Sequence, residues 1–216
     1  MHVTMLAFEP EGAADAGPAG LVARLPGLRM CIWGALRRVA GKEPIRSRGA
    51  LLAFDDEHTS AGLADAARAR ELPAGTGIAP SSVHVESIDA TFQIPLEPRR
   101  PGQPVFALVA TFDYADGPGD AAAAERHYLE VHVPRSRELP GMRGYVTGKL
   151  LRHASTRGGA ATGPSALRHR MGIEIFDSRD MLALAFRSPA GQDVIKDGQY
   201  VCANVEVHHL DGEVVI

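Results

Sequence analysis

Glu125, Tyr128, Leu129 and His132 stand at the i, i+3, i+4 and i+7 positions that share one face of an α-helix. That face joins an acid, a phenol, an aliphatic side chain and an imidazole. It is apolar enough to pack and polar enough to line a pocket. Histidine is the side chain best suited to moving protons near neutral pH. His132 falls at the end of this helix, close to Pro134, where its ring can enter the space between helix and sheet. As a general acid or base it would be oriented by Tyr128 or Tyr145, or those phenols would hydrogen-bond a substrate oxygen. Arg143 would stabilise an enolate or a carboxylate. The catalytic candidates are thus His132, Tyr128, Tyr145 and Arg143. Each also has a plain structural reading. The imidazole caps a turn, the phenols pack in the core with satisfied hydroxyls, and Arg143 makes a salt bridge at a strand entrance.

The remaining chemistry-bearing residues point to no metal and no cofactor. His208 and His209 are neighbours on an expected strand and face opposite sides of it, so both cannot ligate one ion. His84, His153 and His169 lack a carboxylate or Cys at the usual ligand spacing. Asp55-Asp56-Glu57-His58 reads as the acidic start of a helix, where the dipole favours negative charge. No Gly-x-Gly-x-x-Gly or Walker-type loop is present, and Gly158-Gly159 reads as a flexible loop.

An internal repeat tells which elements hold the candidates. Leu25-Pro26-Gly27-Leu28-Arg29 recurs 114 positions later as Leu139-Pro140-Gly141-Met142-Arg143, and Gly34 and Gly148 keep that offset. The run Gly49 to Asp55 aligns with Met171 to Asp177 at an offset of 122. That offset then pairs Val83 with Val205, Val85 with Val207, Asp89 with Asp211 and Ile94 with Ile216. The change from 114 to 122 places an eight-residue insertion in the second half, at the Gly-rich stretch 155–164. Phe8 matches Phe112 at an offset of 104, so the first half is ten residues shorter ahead of its Leu-Pro-Gly element. Pro18 stands where His132 would fall. The first half therefore has a short or absent first helix, and the chain carries one candidate site. Arg29, the counterpart of Arg143, survives without the histidine, which favours the salt-bridge reading of Arg143.

In the second half, Val105 to Tyr114 reads as a strand. Asp120 reads as the N-cap of a helix from Ala121 to about Val131, limited by Pro134. Leu139-Pro140-Gly141 is a turn, and Gly144 to Leu151 and Arg170 to Phe176 are strands. Asp177 or Ser178 caps a helix from Arg179 to Phe186, a further helical stretch lies near Gln192 to Lys196, and Val201 to Val215 is the last strand. Asp211-Gly212, a hairpin-type dipeptide, marks an expected break in it. The order β-α-β-β-α-β predicts an α+β fold of two ferredoxin-like repeats forming a single-chain, pseudo-dimeric α/β barrel. Each sheet covers the face the other leaves bare. The expected units are a degenerate N-terminal repeat over 1–95, a linker over 96–104 and a C-terminal repeat over 105–216. Four prolines between Pro95 and Pro104 make the connector stiff and extended.

Glu125-Arg126-His127-Tyr128-Leu129-Glu130-Val131-His132-Val133-Pro134, followed by Glu138-Leu139-Pro140-Gly141-Met142-Arg143-Gly144-Tyr145, resembles the EthD family of dimeric α/β-barrel proteins. That family shows an aromatic-rich helix, then His-x-Pro, then Leu-Pro-Gly-x-Arg-x-Tyr. The resemblance implies a link to degradation of ethers and other xenobiotics. The wider superfamily includes cofactor-independent monooxygenases, muconolactone isomerases, polyketide cyclases and haem-handling enzymes, and fold alone does not choose among them.

A formal net charge of −3 with no long Lys/Arg run gives no electrostatic reason to expect nucleic acid or an anionic membrane as partner. No apolar run reaches the roughly 18 to 20 residues of a membrane span, and the start lacks the marks of a signal peptide. Cys31 and Cys202 are far apart and read as reduced, buried thiols, so a cytoplasmic location is expected. The expected partner is a small-molecule ligand or substrate, in a monomeric pseudo-dimer or a homodimer. Three functions stay open. The first is a cofactor-independent enzyme doing proton-transfer chemistry (isomerase, cyclase, dehydratase or monooxygenase type) on a small hydrophobic oxygenated compound. The others are a haem-binding or haem-degrading barrel, and a non-catalytic accessory protein that binds a small molecule.

Overall fold

A computed structural model describes residues 1–10, 25, 27–39, 47–55, 80–115, 120–157, 160–162 and 169–216. The first half contributes β1 (His2–Pro10), β2 (Leu28–Arg38), β3 (Ser47–Phe54) and β4 (Pro80–Ile94). The second contributes β5 (Pro104–Tyr114), β6 (Gly144–Arg157), the short β7 (Ala160–Thr162), β8 (Arg170–Phe176) and β9 (Cys202–Val214). Between β5 and β6 lie α1 (Ala121–His127), a π turn (Tyr128–His132) and α2 (Val133–Ser136), while α3 (Arg179–Arg187) and α4 (Pro189–Val201) join β8 to β9. The expected first-half helices, Asp56-Glu57-His58 and Gly158-Gly159 fall outside the described residues.

The strand order is β4-β1-β3-β2-β9-β5-β8-β6, with β7 beyond β6, and a further β4–β6 ladder closes the eight long strands into a barrel. Every ladder is antiparallel. Numbered within its own half, each set of four strands has the order 4-1-3-2. The two sets meet at two seams, β2 against β9 and β4 against β6. Alternation along each strand sends one set of side chains inward. One buried cluster accordingly draws from all eight long strands, including Met5, Ile32, Leu51, Ile88, Val109, Val146, Ile173 and Leu210. Outside the barrel, Phe8, Trp33, Leu52 and Phe54 form a cluster on the first half. Phe106, Phe176 and Leu182, and separately Phe112, Tyr128 and Tyr145, form two on the second.

Both seams are built the same way. At β2–β9, Gly34 faces Gly212, and a Cβ on Gly34 would overlap the Asp211 carbonyl. At β4–β6, Gly148 faces Ala90, and a Cβ on Gly148 would overlap the Asp89 carbonyl. The turns ahead of β2 and β6 also match. Gly27 and Gly141 take φ of 74° and 75°, the left-handed region that glycine enters without steric cost. Arg29 then pairs with Asp55, and Arg143 with Asp177.

Three local expectations change. β9 runs unbroken through Asp211-Gly212, because Gly212 is there to let the Trp33 carbonyl approach rather than to turn the chain. Residues 95–103 carry no strand or helix, and Pro104 already belongs to β5. The helix passes Pro134 and ends at Ser136, because the π turn re-registers the bonding: Val133 N–H donates to the Tyr128 carbonyl five residues back, ahead of the proline that has no N–H.

Since the seam contacts are backbone against Cα, neither can yield by rotating a side chain. Gly34→Ala and Gly148→Ala are each expected to destabilise the fold by about 1–3 kcal/mol. The two costs should be similar. Urea unfolding monitored by circular dichroism measures both, and wild-type stability in either variant would contradict the seam geometry.

Candidate active site

Beneath the helices of the second half, on the outer face of its sheet, lies a hollow of about 520 Å³. That volume suits a small organic ligand. Leu108, Ala110 and Phe112 of β5, Gly172 and Glu174 of β8, Tyr145 of β6 and Val205 and Val207 of β9 form its floor. Tyr128, His132 and the α4 residues Val194, Ile195 and Gly198 form its roof. Floor positions two apart on each strand share one face, so the sheet alternation itself puts Glu174 under the helices.

The roof is set by helix caps and by the π turn. The Asp120 carboxylate accepts from Ala123 N at 2.7 Å and starts α1. Ser178, rather than Asp177, caps α3, and Ser188 caps α4 by accepting from Gly191 N at 3.1 Å. On a regular α-helix, residues five apart diverge by about 140° around the axis. The wider π turn removes much of that divergence and brings His127 and His132 to one carboxylate. It also shifts the expected helix face: Leu129 is 40% exposed rather than packed, while Tyr128 is buried.

That carboxylate is Asp197 of α4, 5% exposed. It meets His132 Nδ1 at 3.0 Å, His127 Nε2 at 2.9 Å and Arg135 Nη1 at 2.8 Å. A carboxylate only accepts, so His132 Nδ1 carries a proton and donates it to Asp197. Burial holds the His132 pKa below its ordinary value, against the opposing pull of Asp197 and with His127 and Arg135 adding to the lowering. At neutral pH the ring is therefore neutral, with the lone pair on Nε2. Its face stacks on Tyr128, centroids 5.1 Å apart, and α4 comes close because residue 198 is glycine, where a Cβ would lie 3.4 Å from His132 Cε1.

The two phenols are already committed. Thr147 Oγ1 donates its single proton to the Met171 carbonyl at 3.0 Å. It must then accept from Tyr128 Oη at 3.0 Å, which leaves Tyr128 Oη to accept from Tyr145 Oη at 3.2 Å. Neither phenolic proton is free for a ligand. Burial pushes Tyr128 up to about 12 and Tyr145 well above its ordinary value, so neither ionises near neutrality. Arg170, whose guanidinium lies 5.2 Å from the Tyr128 ring centroid, donates to Tyr114 Oη and to Glu125.

Of the sequence candidates, His132, Tyr128 and Tyr145 meet at the hollow, and Arg143 does not. Its Nε donates to Asp177 at 2.8 Å and its Nη1 lies 3.6 Å from Glu97, at the start of β6. Sequence reasoning missed two residues. Asp197 lay outside the motif and on a helix whose extent was under-read. Glu174 was visible: it occupies an outward position of a strand whose outer face is covered by helices, and its counterpart in the first half is the buried Leu52. Glu174 is 7% exposed, and its Oε2 is buried with no hydrogen-bond partner among the described residues. Burial raises its pKa to about 8. Cys202 also borders the hollow, but burial lifts its thiol to about 12, which removes it as a nucleophile near neutral pH. No group of His, Cys, Asp or Glu among the described residues has metal-binding geometry.

Tyr128→Phe should strand the Tyr145 proton and the Thr147 acceptor, at a cost of about 1–3 kcal/mol in thermal or urea unfolding. Arg143→Ala removes an exposed ion pair and should leave the melting temperature nearly unchanged, with ligand binding in the hollow unchanged. Loss of binding in Arg143→Ala would place that guanidinium in the site after all.

Compared by sequence, the chain matches no family profile and no curated protein. Compared by structure, it is similar to a proposed monooxygenase from Fusobacterium nucleatum subsp. nucleatum at TM-score 0.60 and 11% identity, over 100% of this chain and 92% of that one. A proposed monooxygenase from Lactobacillus acidophilus matches at TM-score 0.54 and 10% identity, over 100% and 98%. An anthrone oxidase-like protein matches at 0.53 and 14%, over 100% and 92%. At such identities the likeness speaks for the fold alone: a ferredoxin-like α/β barrel.

Proposed function

We propose that the second half is a cofactor-independent acid–base site, in which His132 Nε2 removes a proton from carbon beside a carbonyl of a small hydrophobic compound. The observation that carries this is the His132–Asp197 pair on the wall of the hollow, which fixes the tautomer that leaves Nε2 as the base. The C–H electron pair becomes the carbon–carbon double bond of an enolate, and the carbonyl π pair moves onto oxygen. This step is shared by isomerases, cyclases and cofactor-free oxygenases. It agrees with the names of the structural neighbours, two proposed monooxygenases and an anthrone oxidase-like protein. In the same reading the chain is a tandem duplication related to the EthD family, whose first half, over 1–95, is scaffold. Matched seams, matched turns and the repeated Arg–Asp pair support this. One chain then supplies the whole barrel without a second copy, and xenobiotic ketones fit the step.

Haem suits the hollow poorly. A histidine held by a carboxylate resembles an axial ligand. Yet the described residues lining the hollow include no Arg or Lys to meet propionates, and the Glu174 carboxyl would face the macrocycle. A non-catalytic binding module is told apart by turnover. With 2-acetylnaphthalene in D₂O, proton NMR should show protein-catalysed loss of the methyl signal. His132→Ala should slow it by about 100-fold or more with melting temperature nearly unchanged. The rate should climb with pH along a limb centred below 6.5, where the lowered His132 pKa frees Nε2. Asp197→Asn removes an interaction that raises that pKa, so it should move the limb to lower pH as well as reduce the rate. An unaltered rate in His132→Ala, or no exchange above the uncatalysed level, ends the enzyme reading.

A further inference from the structure

Among the buried polar side chains bordering the hollow, most protons are already committed. Both phenolic protons are used in the chain to Met171, and His132 Nδ1 is used on Asp197. Glu174 lies in the floor between Tyr145 on β6 and Leu108 on β5, its cross-strand neighbours, and its buried Oε2 meets no hydrogen-bonding group among the described residues. A buried carboxyl without a partner is costly, and the neutral form is the way such a group lowers that cost. In the first half the matching position is Leu52, packed in an apolar cluster. The fold therefore tolerates a plain aliphatic residue here, and the acid serves no packing need. The rest of the lining is mostly aliphatic or aromatic, with exposed Gln199 and the Cys202 thiol at its border, and no described residue lining the hollow is Arg or Lys.

We propose that Glu174 donates the hydrogen bond that holds the substrate's oxygen, and that the hollow selects neutral carbonyl compounds over carboxylates of the same shape. This rests on the hollow being the active site. A carbonyl oxygen accepts from the Glu174 O–H, and it is the oxygen on which negative charge grows when His132 takes the neighbouring proton, so one contact both orients the ligand and stabilises the enolate. A carboxylate would find no cation and would meet an acid that must stay neutral beside it. The groups facing Glu174 do not confuse its titration. Tyr145, Tyr128 and Cys202 are all raised far above neutrality and His132 is neutral above 6.5, so Glu174 is the group among them that changes charge between pH 7 and 9.

The test is calorimetric titration of the purified full chain with 2-acetylnaphthalene and 2-naphthoate, which differ by a methyl ketone against a carboxylate. At pH 6.5 the ketone should bind wild type at least about tenfold tighter than the carboxylate. Glu174→Leu should lose about tenfold in ketone affinity, the worth of one hydrogen bond, while melting at or above the wild-type temperature. Wild-type affinity for the ketone should fall as pH passes about 8, and Glu174→Gln, which keeps a donor and cannot ionise, should hold its affinity to pH 9. The raised carboxyl pKa also means that wild-type stability declines as pH rises toward 8, so Glu174→Gln should gain melting temperature over wild type more at pH 9 than at pH 5. Equal or tighter binding of 2-naphthoate, no ketone binding up to its solubility, or wild-type ketone affinity in Glu174→Leu would each overturn the proposal. His132→Ala separates the two readings. It should bind the ketone within about twofold of wild type, so lost exchange with kept binding supports both, and kept exchange rejects the base without touching Glu174.

Discussion

A four-stranded antiparallel sheet with apolar residues on both faces cannot stand alone in water, and this chain carries two of them. The barrel resolves the constraint by joining sheet to sheet along both edges, so that one cluster drawn from all eight long strands fills the interior. Joining edges requires backbone to approach backbone. That is why Gly34 meets Gly212, and why Gly148 lies against the Asp89 carbonyl. The rest follows from closure. With the interior filled and the barrel edges paired, the outer face of the second sheet is free to be covered incompletely by helices, and the space left over is the hollow.

The helices that cover it are tied to one another by polar contacts as well as by packing. Asp197 gathers His127, His132 and Arg135 from three consecutive pieces of one helical run. Both oxygens of this buried carboxylate thus have partners, two on Oδ1 and one on Oδ2. The π turn is what makes this possible, since a regular helix would carry His127 and His132 to different sides. The same turn lets the run continue past Pro134. One local departure from α geometry thus serves helix length, carboxylate coordination and the aim of the imidazole together.

Much of this was legible in the amino-acid sequence. The repeat offsets of 114 and 122 marked Gly27 with Gly141, Gly34 with Gly148 and Arg29 with Arg143 as equivalent positions, while the left-handed φ values and the aspartate partners come from the structure. The antiparallel pairing of the second half followed from its β-α-β-β-α-β pattern. What was not legible depends on geometry that sequence does not encode locally. Periodicity assumes 3.6 residues per turn, so a π turn displaces the face and Leu129 comes out exposed. Asp211-Gly212 is a hairpin dipeptide by composition and a seam by position. Asp197 is one of two acids on an amphipathic helix until three donors are seen to converge on it. Arg143 could not be separated from the site by spacing alone, whereas its first-half counterpart Arg29 already hinted that it served the strand entrance.

The comparison of halves carries further than the motif does. Where two sets of strands with one order share a barrel, a residue needed by the fold has reason to recur, and one needed by chemistry does not. Arg29 and Arg143 recur with their aspartates; Gly34 and Gly148 recur with their carbonyl contacts. By contrast Leu52 gives way to Glu174, and Pro18 stands where His132 would be. Glu174 is the sharper of the two differences. A polar residue placed in a dry position that tolerates leucine lowers stability whenever it ionises, and burial alone accounts for its raised pKa. A fold that had only to persist does as well with leucine, as Leu52 shows. The acid at that position therefore marks the half of the barrel where stability was given up for a hydrogen bond to something that is not part of the chain.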